Sequence, residues 1–186
     1  MELIQYRQEQ YDMEIIKRIV ALENTAWPKN DGSETFPPAP NTYVTSFVWI
    51  DNDLAVCHVG IRKNILFHKG QQYQAFGLSE VVTHPCYQNQ GLATTTIKKA
   101  AAFIIEQQAD ISIFTCEPRR VSFYTRGGWE PVNGACFVGG TKETPFRSDK
   151  LNLVTMMMFI SPKAKLHRND FEDSDIIFEL DENQLW

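Results

Sequence analysis

Leu78-Ser79-Glu80-Val81-Val82-Thr83-His84-Pro85-Cys86-Tyr87-Gln88-Asn89-Gln90-Gly91-Leu92-Ala93 holds the most informative junction of the chain. Ala75–Thr83 reads as a strand that His84-Pro85 closes. From Gly91 to Gln108, residues Leu92, Ile97, Ala100, Ala101, Ile104 and Ile105 fall at helical spacing and mark the expected buried side. A polar turn therefore passes from a strand directly into a long helix. Such a turn leaves backbone N–H groups unpaired at the positive end of the helix dipole, which makes an anion site. Gly91 has no side chain to hold a phosphate off the backbone, and Ala93 lets a pyrophosphate lie close to the first helical turn. The three spaced glycines of a dinucleotide fingerprint are missing, as is the Gly-Lys-Ser/Thr of a Walker loop. The bland alternative is an ordinary strand–helix corner.

Working outward, residues 2–7 read as a short strand and residues 9–25 as an amphipathic helix carrying Ile15, Ile16, Ile19, Val20 and Leu22. Trp27-Pro28 stops that helix, and the proline-rich Lys29 to Asn41 must be a loop, long enough to border a substrate site. Thr42–Ile50 and Leu54–Ile61 form a hairpin around Asp51-Asn52-Asp53, and Ile65–His68 extends it to a turn near Lys69-Gly70. After the long helix come a strand over Ile111–Cys116 and a short helix over Pro118–Arg126, broken by Gly127-Gly128. Two last strands are expected over Trp129–Val138 and Leu151–Ile160. This order, βα, strands, then βαβα and strands, implies a mixed α/β sheet with at least two crossover helices.

The chain has 186 residues, suited to one domain with a sizeable core. Its 43% hydrophobic and 22% charged residues are those of a water-soluble globular protein. No apolar run approaches the roughly 20 residues that cross a bilayer, and the start Met1-Glu2-Leu3-Ile4-Gln5-Tyr6-Arg7 lacks the basic and apolar parts of a secretion signal. A cytoplasmic protein without a membrane partner is expected. The net charge of −5 argues against nucleic acid and suits an amine-bearing, cationic ligand. Asp170, Glu172, Asp173, Asp175, Glu179, Asp181 and Glu182 crowd the C-terminal segment, either as a solvated tail or as a tethered one. Cys57, Cys86, Cys116 and Cys136 are widely spaced and read as reduced thiols, mostly small core residues; no metal site is expected.

The segment Gln88-x-x-Gly91-x-Ala93, following Val-Val-Thr-His-Pro-x-Tyr, resembles the acetyl-CoA motif of the GNAT acetyltransferases, (Gln/Arg)-x-x-Gly-x-(Gly/Ala). The resemblance implies a central mixed sheet flanked by helices, with acetyl-CoA as co-substrate. It assigns Gln88, Asn89, Gln90, Gly91, Leu92, Ala93 and Thr94 to the pyrophosphate, and Val81, Val82 and Thr83 to backbone pairing with the pantetheine arm. Phe123-Tyr124-Thr125-Arg126-Gly127-Gly128-Trp129 resembles the family's Phe-Tyr-x-x-x-Gly-(Phe/Trp) segment, whose tyrosine protonates the departing thiolate. Tyr124 fits that role, because a phenol with an ordinary pKa near ~10 holds its proton at neutral pH. The alternative for Tyr124 is packing.

Direct transfer also needs a group to take the amine's proton. Glu80 is the nearby carboxylate; an alignment shifted by one puts Ser79 there, and one residue turns a side chain to the other face of a strand. His84 is a further alternative. Phe47-Val48-Trp49, the hairpin Leu54 to Ile61, Tyr124 with Gly128-Trp129 and the ending Leu185-Trp186 resemble the aminoglycoside 2′-N-acetyltransferases. That resemblance makes a polycation one acceptor, beside other small-molecule or peptide amines, and places Trp186, ring and α-carboxylate, at the acceptor site. A sensor that holds acetyl-CoA without turnover, or a partner-binding domain, is the reading from another class, since fold does not fix function. A homodimer stays open.

Overall fold

Asp12 starts the first helix. Its Oδ1 accepts the N–H of Glu14 at 3.0 Å and of Ile15 at 3.2 Å, which satisfies donors that a helix N-terminus leaves orphaned. Helix α1 therefore spans Met13–Ala26, later than periodicity alone placed it, and Gln8–Gln10 forms a separate 3-10 turn after strand β1, Glu2–Arg7. The computed structural model describes residues 1–10, 12–28, 45–180 and 184–186. The loop expected over Lys29 to Asn41 lies outside these residues, as does the start of the strand expected from Thr42.

The remaining strands are β2 (Thr45–Asp51), β3 (Leu54–His68), β4 (Gln71–Thr83), β5 (Ile111–Cys116), β6 (Glu130–Pro131), β7 (Cys136–Gly140), β8 (Pro145–Arg147), β9 (Val154–Phe159) and β10 (Asp175–Ile177). Helices α2 (Leu92–Glu106), α3 (Val121–Thr125) and α4 (Pro162–Leu166) complete the set. Seven strands form a mixed sheet in the order β1-β2-β3-β4-β5-β9-β6, and β10-β7-β8 form a second sheet. The expected hairpins are present, with Asn52 and Lys69 in the left-handed conformation their turns need.

The chain divides into two compact units, residues 1–63 with 78–100, and residues 64–77 with 101–186. In the first, Ile16, Ile19 and Leu22 of α1, flanked by half-buried Ile15 and Val20, pack with Tyr6, Val48, Ile50, Ala55 and Val82. In the second, β5 is the organising strand. It pairs antiparallel with β9 along its whole length, but parallel with β4 only at Ala75↔Ile111 and Phe76↔Ser112.

Three expectations need correction. Ile105 is 51% exposed, not buried; the buried face of α2 is rotated toward Thr96 and Phe103, which leaves Ile105 beyond its rim. Trp129–Val138 is not one strand: a turn bonded from Ala135 N–H to Val132 C=O separates β6 from β7, and the two belong to different sheets. Pro118–Arg126 is a 3-10 turn, Pro118–Arg120, that runs into the short α3.

Candidate functional site

β4 changes character at Ser79. It is buried from Ala75 to Leu78 and half-buried at Ser79, Glu80, Val81 and Thr83. Glu80 has φ +46, a conformation rare for a residue with a side chain and a mark of a local kink in a strand. The side chains of Ser79 and Glu80 reach one partner. Arg62 of β3, only 6% exposed, donates through Nε to Ser79 Oγ at 3.2 Å and through Nη2 to Glu80 Oε1 at 3.1 Å. Glu80 Oε2 is buried and has no hydrogen-bond partner among the described residues.

Beyond Thr83 the chain is held by bonds within the turn and one to β2. His84 Nδ1 accepts the Cys86 N–H at 3.3 Å, so His84 serves as the cap of the turn Pro85–Tyr87. Tyr87 donates its hydroxyl to Asp51 Oδ2 at 2.8 Å, and this bond raises the phenol's pKa. Gln88 Nε2 reaches back to the Thr83 carbonyl at 3.3 Å. Asn89 and Gly91 both take positive φ, +62 and +80, the alternation that points successive N–H groups the same way. Helix α2 then begins at Leu92 behind a glycine, which has no side chain to cap the orphaned N–H groups of Leu92, Ala93 and Thr94. A Cβ on Gly91 would meet no atom within 4 Å. The cradle is thus open, rich in backbone donors and at the positive helix end, which fits the pyrophosphate of a CoA-type ligand.

Tyr124 sits in α3 and is 9% exposed. Its ring packs edge-on to Phe114 at 4.7 Å and to Phe123 at 4.9 Å, and its hydroxyl makes no hydrogen bond among the described residues. Burial, and then the neighbouring Cys116, push its pKa above the ordinary phenol value. Burial also pushes the Cys116 thiol up to about 11.

Trp186 lies elsewhere in the same unit as Tyr124. Its carbonyl oxygen accepts the Thr115 N–H at 2.8 Å and the Thr115 Oγ1 hydroxyl at 2.7 Å. Its indole packs against the Gly77 backbone, where a Cβ would collide with Cε3, and beside Phe178, at 5.0 Å between ring centroids. Of the five described acids in the run before it, three are engaged: Asp170 with His167, Asp175 with Arg147 and Glu179 with Lys142. Among the described residues no cluster of His, Cys, Asp and Glu has the makings of a metal site, and no helix is long and apolar enough to cross a membrane. Cys57, Cys116 and Cys136 are buried free thiols, and Cys86 is exposed.

Residues 9–132 match the sequence pattern described as the acetyltransferase (GNAT) domain. The chain belongs to the GNAT acetyltransferase family. Solved structures agree on the fold. ElaA of Escherichia coli superposes with a TM-score of 0.62 at 12% identity, over 85% of this chain and 99% of that one. An aminoglycoside 6′-N-acetyltransferase complexed with coenzyme A gives 0.57 at 12% identity, over 87% and 98%. A probable N-acyltransferase of Enterococcus faecalis V583 gives 0.59 at 18% identity, over 70% of this chain; the matched part spans only 32% of that longer protein. No curated protein matches the chain. Within this GNAT domain, sequence reasoning missed Arg62, although an arginine directly after the strand expected over Leu54–Ile61 was a visible signal. It also missed Thr96, which resembles any helix threonine until its partners are known.

Proposed function

We propose that this GNAT domain is an acetyl-CoA-dependent N-acetyltransferase that acetylates a primary amine of a small molecule or a peptide. The observation that carries the reading is the glycine-led start of α2, open and without a side-chain cap, directly after the half-buried end of β4. Bound acetyl-CoA supplies the acetyl thioester. The backbone N–H groups over Gln88, Asn89, Gln90, Gly91, Leu92, Ala93 and Thr94 hold its pyrophosphate, and the backbone of Val81, Val82 and Thr83 pairs with its pantetheine arm. The half-buried Glu80 carboxylate, paired with Arg62, takes the amine's proton as the nitrogen bonds to the acetyl carbon. As the carbon–sulfur bond breaks, Tyr124 gives its proton to the departing sulfur. A thiol held near a pKa of about 11 is protonated at neutral pH, so Cys116 is unsuited to carry the acetyl group, which favours direct transfer.

The pairing of Asp175 with Arg147 and of Glu179 with Lys142 favours a singly charged amine over an aminoglycoside polycation. The ring of Trp186 is proposed to border the acceptor. The test is CoA release by the purified chain with simple alkylamines, peptides with free N-termini and an aminoglycoside. Turnover with one of the first two groups, reduced strongly in Glu80→Gln, is expected. CoA binding without release in the presence of any amine would instead mean a sensor.

A further inference from the structure

The anion cradle is an exposed loop with few bonds of its own, yet its two ends are joined beneath it by buried polar groups that the proposed chemistry does not use. Thr96, one turn into α2 and fully buried, is the hub. Its hydroxyl donates to the Leu92 carbonyl at 2.7 Å and accepts the indole N–H of Trp49 from β2 at 3.0 Å. Cys57 of β3, also fully buried, places Sγ 3.7 Å from the same hydroxyl and accepts the Thr83 hydroxyl at 3.4 Å. Thr83 ends β4, and its carbonyl receives the Gln88 side chain. A continuous chain of contacts thus runs from Trp49 through Thr96 and Cys57 to Thr83, linking the first turn of α2 to the last residue of β4. Burial raises the pKa of the Cys57 thiol, so it stays a neutral link and not a reactive group.

We infer that Thr96 is a positioning residue for CoA: its hydroxyl, with Cys57, fixes the spacing between the end of β4 and the start of α2, and so the shape of the cradle between them. The inference rests on the cofactor reading above. Thr96 has no exposed surface and its hydroxyl is taken up by Leu92 and Trp49, so any effect on affinity must pass through the loop ends. The physical argument is pre-organisation. An exposed loop held in its bound shape gives up less freedom when the ligand arrives than one that must be ordered then.

Two variants separate this role from simple packing. Thr96→Val keeps the volume and removes the hydroxyl; Thr96→Ser keeps the hydroxyl and removes a methyl group. Coenzyme A binding is measured by calorimetry and melting temperature by circular dichroism. Thr96→Val is expected to raise the Kd for CoA about three- to tenfold, the range given by one lost buried hydrogen bond. Thr96→Ser should melt lower and yet bind CoA as the wild type does. If Thr96→Val does not fold, Trp49→Phe removes the indole donor, keeps a ring and carries the same expectation of weakened binding. Wild-type affinity in Thr96→Val, or in Trp49→Phe where that variant is used, overturns the inference, as does equal weakening in Thr96→Ser. A wild-type protein that gives no binding signal with CoA overturns the cofactor reading, and this one with it.

Discussion

Gly91 holds φ +80 in a place where an added Cβ touches nothing, and the two facts separate the costs of changing it. A Cβ there meets no protein atom, so folding loses chiefly what the left-handed backbone costs a non-glycine residue, about 1–2 kcal/mol and more for a β-branched one. The ligand, however, loses the space through which a phosphate approaches the N–H groups. Gly91→Val is therefore expected to melt modestly lower while its calorimetric affinity for acetyl-CoA collapses; affinity equal to wild type in a folded variant removes Gly91 from the cradle. Tyr124 makes the opposite prediction, an effect on rate and not on binding. Its hydroxyl is pushed above the ordinary phenol range by burial first and by Cys116 second, so it keeps its proton throughout the neutral range. Tyr124→Phe should lower kcat about 10²-fold or more and leave the acetyl-CoA Kd unchanged, whereas an undiminished kcat returns Tyr124 to packing. The places of both residues, at the start of α2 and in α3, were legible in the sequence because each belongs to a short ordered pattern. Glu80 was only half legible: its place on β4 was read, but no local pattern of Leu78-Ser79-Glu80-Val81 announces its left-handed φ.

At the scale of elements, α1, α2 and the hairpins were readable because periodicity and turn chemistry act within a few residues. The division of Trp129–Val138 into strands of two sheets was not, since it depends on partners distant in sequence: β9 for β6, and β8 and β10 for β7. The attachment of α4 is a further long-range feature, and it turns on Asp110. Its Oδ1 accepts the Ser161 hydroxyl at 2.6 Å, and its Oδ2 accepts the Gln74 N–H at 2.8 Å and lies 3.0 Å from Lys163 Nζ. Burial alone would raise the carboxyl's pKa, but the bonds from Ser161, Gln74 and Lys163 outweigh it and the net shift is downward. A lowered folded pKa means that the stabilisation is complete above the ordinary aspartate value of about 3.9 and is lost as pH falls through the folded one. Wild-type protein should thus lose melting temperature between pH 6 and pH 3 more steeply than Asp110→Asn, which lacks this titration and should start lower at pH 6. Parallel melting curves for the two proteins would show that Asp110 is not what anchors α4.

At the scale of the whole molecule the question is what a net charge of −5 offers an acceptor. Read as a string, the acids from Asp170 onward look like a surface for polycations. In the folded chain, Arg147 is bidentate to Asp175 at 2.6 and 3.0 Å and also holds Asp149. Lys142 meets Glu179 at 2.8 Å. Such exposed pairs add little stability, each about 0–1 kcal/mol, but they cancel the local field that would draw a multiply charged ligand. The KM of a simple monoamine is then expected to change less than about twofold between about 50 and 300 mM salt, a range over which screening removes most surface attraction. An aminoglycoside should gain nothing over the monoamine at the lower salt. Removing the cations reverses this. The double variant Lys142→Ala, Arg147→Ala takes the net charge from −5 to −7 and uncovers Glu179 and Asp175. It should bind the aminoglycoside more tightly at about 50 mM salt, lose that gain at about 300 mM, and leave the monoamine KM where it was. If wild-type protein already shows a steep salt dependence with the aminoglycoside, the acidic run acts as a polycation surface despite its pairings, and the preference for a singly charged amine is wrong.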